Sequence, residues 1–250
     1  MNSTSAAAGK IECAKCPLRD LHAFREFTPA ELRFVSTFKT GELVVDKGAT
    51  VVVEGSNSAH LYTVLSGFAF RYKVLEDGRR QILNYAMPGD LVGLQGTLMG
   101  EMQHSVEALT PVRLCVFERA KIHDLFSGHP GLGYDMTWIA AREERILDEH
   151  LLSIGRRTAI ERAAYLLAFL SVKARQTGYA QDDPAILPLT QQHVADTLGL
   201  SIVHTNKTLR KLAAKGYIRW LDRGCEVPAI EPLRELSGWH EDIEPPRPFL

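Results

Sequence analysis

The sequence predicts an α+β chain, and three patterns along its 250 residues carry that prediction. Short apolar runs of period two fill residues 41–117, a helical period takes over after Gly131, and a basic segment with two short capped helices and a hairpin follows Arg156. Hydrophobic content of 45% and charged content of 24% are ordinary globular usage, and the length suits one large or two medium domains. The longest stretch free of Asp, Glu, Lys and Arg, Gly55 to Phe70, has 16 residues and is broken by Gly, Ser, Asn and His. A bilayer-spanning helix needs roughly 20 apolar residues, so no membrane partner is expected. Met1 to Gly9 lacks the basic start and apolar run of a secretory signal, which places the chain in the cytoplasm with its four cysteines reduced.

Residues 1–12 are small and polar and are expected to be unstructured. Thr28-Pro29-Ala30-Glu31 reads as a helix start, with Thr28 as cap, Pro29 at the first helical position and Glu31 closing a capping box; the helix runs to about Phe38. Strands are expected at Leu43–Val45, Thr50–Glu54, Leu61–Leu65, Phe68–Val74, Gln81–Tyr85 and Val112–Phe117. Turn signals such as Glu76-Asp77-Gly78 and Pro88-Gly89-Asp90 separate them at intervals of about ten residues, the spacing of a compact barrel or sandwich. From Gly131 to Leu152, Leu132, Met136, Ile139, Glu143, Ile146 and His150 follow alternating steps of four and three, with Ala140, Leu147 and Leu151 beside them. That spacing is read as a dimer seam between two copies, the alternative being a helix that lies on its own barrel.

Thr158 to Ala174 forms another helix, and Gly178 to Pro188 reads as a loop. Thr190 then caps a short helix, Gly199 permits a tight turn, and Ser201 caps a second helix with Thr205, Leu209 and Leu212 on its buried side. This is a helix-turn-helix, and Gly216–Leu221 with Cys225–Val227 makes a two-stranded wing after it. The formal net charge of −1 conceals a basic segment: residues 156–220 carry ten Lys and Arg against four acids, which leaves −7 for the rest. A helix fits the major groove of duplex DNA, and the helix before it can anchor its own N-terminus on a phosphate. Thr190, Gln191 and Gln192 supply that anchor, and Ser201 and His204 at the start of the second helix are further candidate DNA contacts. Ile202, Val203, Asn206, Lys207 and Arg210 face away from the buried stripe. Asn suits adenine, Lys suits guanine and Val suits a thymine methyl, while Lys211 and Lys215 fall to the phosphates.

The order of elements over residues 13–237 resembles the cAMP receptor protein/FNR (CRP/FNR) family of bacterial transcription regulators. Leu61-Tyr62-Thr63-Val64-Leu65-Ser66-Gly67, Glu76 to Ile82, Pro88 to Gly93 and the helix-turn-helix carry the resemblance. It implies a cyclic-nucleotide-binding-like β-roll, a long dimerisation helix and a C-terminal winged helix-turn-helix that reads a two-fold-related duplex site as a homodimer, with RNA polymerase as a further partner. The corresponding domains are a cysteine-containing segment 1–27, the β-roll sensor 28–130, the dimerisation helix 131–155, the DNA-binding domain 156–237 and a tail 238–250.

Departures from the family narrow the reading. Where cAMP-binding members carry a Glu and then an Arg-Ser or Arg-Thr pair, this chain has Leu94 or Gln95 and His104-Ser105, so the charge-assisted phosphate contact is lost and cAMP is not expected to bind. In the second helix, Val203 and Lys207 replace the family's usual Glu and Arg and Asn206 stands at the FNR serine, so a different half-site is expected. The FNR branch implies an iron–sulfur cluster on three N-terminal cysteines and one in the β-roll. Here Cys13, Cys16 and Cys115 match, and His22 stands near the third N-terminal position. These four suit an iron–sulfur cluster for oxygen or redox sensing, or zinc, or no metal at all, with Cys115 a small buried hydrophobe. Another small ligand in the β-roll is the alternative signal. Cys13-Ala14-Lys15-Cys16 lacks the βαβ context of a redox enzyme, and no P-loop or metalloprotease motif occurs, so catalysis is not expected.

Overall fold

The computed structural model describes residues 10–180, 184–240 and 245–250. Helix α1 (Pro29–Phe38) starts at the anticipated capping box, Thr28 Oγ1 accepting from Glu31 N at 3.3 Å and Glu31 Oε2 from Thr28 N at 2.8 Å. Eight strands follow: β1 (Lys39–Val45), β2 (Thr50–Val52), β3 (His60–Ser66), β4 (Ala69–Val74), β5 (Arg80–Ala86), β6 (Leu91–Val92), β7 (Ser105–Ala108) and β8 (Val112–Glu118), with the short helix α2 (Leu94–Met99) between β6 and β7. They form two antiparallel sheets, in the orders β1-β8-β3-β6 and β2-β7-β4-β5. Val64, Ala69, Val92, Val106, Val112 and Leu114 are buried together within this roll. Helices α3 (Ile122–Gly128) and α4 (Pro130–Arg156) lead to α5 (Ala159–Gln176). The C-terminal lobe adds β9 (Ala185–Leu187), α6 (Gln191–Leu198), α7 (Ile202–Ala214), β10 (Arg219–Leu221), β11 (Gly224–Val227) and α8 (Glu231–Ser237). Among the described residues no helix is long and apolar enough to cross a membrane.

Three expectations need correction, and four short elements went unanticipated. The stretch read as a loop up to Pro188 contains β9, which pairs with β11 and makes the wing sheet three-stranded; three residues are too short to show a period. Strands β6 and β7, of two and four residues, and helices α2 and α3, of six and seven, were hidden for the same reason. Ile11, expected to be loose, is held: its N–H donates to Glu42 Oε1 at 2.7 Å and its carbonyl accepts from Lys39 Nζ at 2.8 Å. Residues 1–9 and the pair Asp182-Asp183 lie outside the described residues. The last residues, read as a tail, return to the front of the chain, where Arg247 bridges to Phe24 and Phe249 packs on Phe24 and Phe27.

The two lobes share a core. Successive side chains of a strand point to opposite faces, so Ala69 of β4 enters the roll while Phe70, with Tyr85 of β5, meets α5 and α6 in a second apolar cluster. Polar contacts fix the junction: Arg80 Nε reaches Asp196 Oδ2 at 2.8 Å, Gln81 Nε2 donates to Thr197 O at 2.9 Å, and Tyr85 Oη lies 2.7 Å from Thr197 Oγ1. Beneath them Asp90, from the Pro88-Gly89-Asp90 turn, receives Lys173 Nζ of α5 and Arg247 Nη1, each at 2.7 Å. Burial opposes ionisation of Asp90, but these two cations outweigh it and hold the carboxyl well below the usual range. Gly89, at φ +85°, lets the turn lie against Phe24; a Cβ there would come within 2.3 Å of that ring.

Candidate nucleic-acid interface

Helix α6 begins at Thr190, whose Oγ1 accepts from His193 N at 3.2 Å while His193 Nδ1 accepts from Thr190 N at 3.1 Å. A histidine thus completes the capping box that glutamate closes in α1. Burial, and then Arg80 nearby, push the His193 pKa down to about 4, which keeps Nδ1 free of a proton and able to accept. The sequence does not announce this role, because the capping pattern looks for Glu or Gln at that position. Gly199 ends α6 at φ +65°, where a side chain would be strained. Ser201 Oγ then accepts from His204 N at 3.3 Å and starts α7.

Thr205, Thr208, Leu209 and Leu212 of α7 are buried against the lobe. On the opposite side Val203 is 76% exposed, and Ile202, His204, Lys207, Arg210 and Lys211 also face solvent. Asn206 sits at the edge, half-buried, with its Oδ1 unpartnered among the described residues. Thr190 and Gln192 are exposed and Gln191 half-buried, although Gln192 Nε2 donates to Asp196 Oδ1 at 2.6 Å. No acidic residue occurs between Asp196 and Asp222, while Lys207, Arg210, Lys211, Lys215 and Arg219 do. The outer side of α7 is therefore a cationic ridge with an apolar tip, the charge and shape that a duplex groove accepts.

The other candidate residues are placed differently. On α4, Leu132 and Met136 are buried against α1, α3 and the N-terminal segment, Ile146 joins the core shared with α5, and Ile139 is also buried. Arg71 Nη2 reaches Glu143 Oε2 at 2.5 Å, and His150 Nδ1 is 2.8 Å from Tyr165 Oη. The expected seam is thus covered by its own chain; Ala140, Leu147 and Leu151 are what that side of the helix leaves open. In the β-roll, burial and then Arg71 push the His104 pKa down to about 4, and Ser105 Oγ accepts from Glu54 N at 3.0 Å, while Leu94 is half-buried and Gln95 exposed.

Cys13, Cys16 and Cys115 converge on one cavity of about 20 Å³, closed by Lys39, Phe249 and Leu250 among others. His22 is exposed and lines a different depression beside Arg19 and Pro246. Among the described residues no group of three His, Cys, Asp or Glu is arranged to hold a metal ion. Burial pushes the Cys115 thiol up to about 11 despite Lys39, and burial raises Cys16 as well, so without a metal both are protonated thiols near pH 7. The expected set of Cys13, Cys16, Cys115 and His22 therefore does not fit a cluster or zinc: the fourth ligand points elsewhere and the cavity holds about one water.

Comparison with known proteins agrees with the architecture. The cyclic nucleotide-binding domain model matches residues 42–129 and the Crp-like helix-turn-helix domain model residues 161–236. The chain is 33% identical over 224 residues to the nitrogen fixation regulation protein FixK of Bradyrhizobium diazoefficiens, covering 89% of this chain and 91% of that protein. It is 27% identical over 209 residues to the transcriptional activator protein FnrL of Cereibacter sphaeroides, covering 82% of this chain and 83% of that protein. The solved structure of FixK2 from Bradyrhizobium japonicum superposes with a TM-score of 0.70 at 24% identity, covering 80% of this chain and 98% of that one, and so shares the fold. With two family models spanning the β-roll and the helix-turn-helix, and relatives that are regulators rather than enzymes, the chain belongs to the CRP/FNR family of DNA-binding transcription regulators.

Proposed function

We propose that the protein is a homodimeric regulator that reads a two-fold-related duplex site through α7 and is not switched by cAMP. The observation that carries the reading is the outer side of α7, where Val203, Lys207, Arg210 and Lys211 stand in solvent on a ridge without acids. Ser201 and His204 at its start, and Thr190, Gln191 and Gln192 at the start of α6, are assigned to the flanking phosphates, with Asn206 and Lys207 assigned to base edges. Two copies join through the open stripe of α4, Ala140, Leu147 and Leu151, and RNA polymerase is proposed as the further partner. Selection from random duplexes followed by titration tests the assignment: a two-fold-related consensus bound by a dimer is expected, and binding without sequence preference would refute it. The neutral His104 at the family's phosphate position supports the lack of a cAMP response; calorimetry should show no micromolar binding of cAMP.

A second reading concerns the signal. Three of the four cysteines meet in one cavity under the C-terminal Phe249 and Leu250, so an oxidant acting there would disturb the contact between the two chain ends. DNA binding of the Cys13→Ala/Cys16→Ala variant, measured with and without oxygen, should lose any oxygen response that the native protein shows. Anaerobic purification with an absorption spectrum and metal analysis should show no cluster bands and no zinc.

A further inference from the structure

A groove of about 160 Å³ lies where the two lobes meet α4. Ile82 and Leu83 of β5, Leu151 and Ile154 of α4, Leu166 of α5 and Leu198 of α6 supply most of its wall, and none of its lining residues is charged. Two polar groups in this apolar wall lack partners. His150 is 8% exposed and Ser153 3% exposed, yet His150 Nε2 and Ser153 Oγ find no hydrogen bond among the described residues. Ser153, like Thr205 of α7, lacks the bond that Ser36, Thr137, Ser171 and Thr208, also on helices, each donate to the carbonyl four residues back. Buried polar groups are normally paired, so two orphans lining one groove indicate what an occupant would supply.

We infer that this groove binds a small neutral ring compound carrying one hydroxyl or carbonyl group, as an effector of how the DNA-binding lobe sits on the sensor. Size sets the ring: a cavity of about 150 Å³ with apolar walls takes up benzene. Charge sets neutrality, because an ion would enter an apolar wall with no counter-charge. Burial, and then Lys173, push the His150 pKa down to about 4, so the imidazole is neutral near pH 7. With Nδ1 engaged by Tyr165 Oη, Nε2 offers one hydrogen bond, and the Ser153 hydroxyl can donate or accept. An occupant touches sensor strand β5, α4 and the first helix of the helix-turn-helix together, so it stabilises one placement of the lobes over others.

The effector role rests on the DNA-binding reading above, whereas the binding itself does not. Phenol is the probe, with toluene and benzoate as controls, titrated calorimetrically into the full-length protein. Phenol should bind once per chain and about fivefold or more tighter than toluene, the worth of one neutral hydrogen bond, and benzoate should not bind. Ser153→Ala should weaken phenol about fivefold and leave toluene unchanged. Absence of phenol binding, or equal affinities for phenol and toluene with no effect of Ser153→Ala, would overturn the site. Because Leu147 and Leu151 belong to the groove wall, binding seen only at concentrations low enough to dissociate the dimer would also overturn it, since a second copy would then fill the groove. Saturating phenol should change affinity for the selected duplex by about fivefold or more, and unchanged affinity would overturn the effector role. Loss of duplex binding in the absence of phenol would count against the α7 reading and not against the groove.

Discussion

In α7 the stripe of Thr205, Leu209 and Leu212 packs on its own lobe and leaves Val203, Lys207 and Arg210 in solvent, whereas in α4 the stripe from Leu132 to His150 is consumed by the same chain. Both helices show amphipathic spacing, and both were assigned an outward role from it. The difference lies in the surroundings. Helix α7 has 13 residues and one small lobe to cover it, so its polar side has only solvent or a partner to face. Helix α4 has 27 residues and passes the N-terminal segment, the β-roll and α5 in turn, so its strongest stripe is used up within the chain. Spacing identifies which residues share a side; it does not identify what covers them.

Adjacent residues of α4 break or sharpen that contrast most strongly. Ile146→Asp places an unpaired charge in the shared core and should remove roughly 3–5 kcal/mol of stability, read as a fall in the urea midpoint. Leu147→Asp, one residue on, should leave the midpoint nearly unchanged and lower the mass seen by light scattering; the reverse pattern would restore the original seam. At the lobe junction, Asp90→Ala leaves Lys173 and Arg247 buried without their carboxylate and should cost about 3 kcal/mol, measured in the same denaturation experiment.

On α7, Asn206→Ala and Lys207→Ala should each cost about 1–3 kcal/mol on the selected duplex and relax its base preference, while Lys215→Ala should weaken all duplexes alike. Equal losses on selected and random duplex for Asn206→Ala would move that half-buried side chain out of base recognition. The smallest effect concerns acid. His104, His150 and His193 have pKa values lowered from 6.5 to about 4 in the folded chain, so the unfolded chain binds their protons first. Their neutral forms favour folding fully above pH 6.5, and that contribution is lost progressively as pH falls from 6.5 to about 4. Replacing His150 by Phe should flatten the decline in denaturation midpoints across that interval.

Caps, periods and turns are properties of a few neighbouring residues, and for that reason the sequence alone determined the helix start at Thr28, six of the eight strands up to Phe117, the long helix, the two helices around Gly199 and the wing hairpin. The side of α7 that faces solvent was legible on the same ground, because a short helix with one buried stripe has one remaining side. Only the tertiary structure decided what lies against α4, that His22 turns away from the three cysteines, and that the end of the chain closes over them. It also decided that Asp90 of a turn motif is a junction for Lys173 and Arg247, the latter 157 residues away. Such pairings leave no local signature: a carboxylate in a turn reads the same whether water or two buried cations satisfy it, and only the folded chain selects between them.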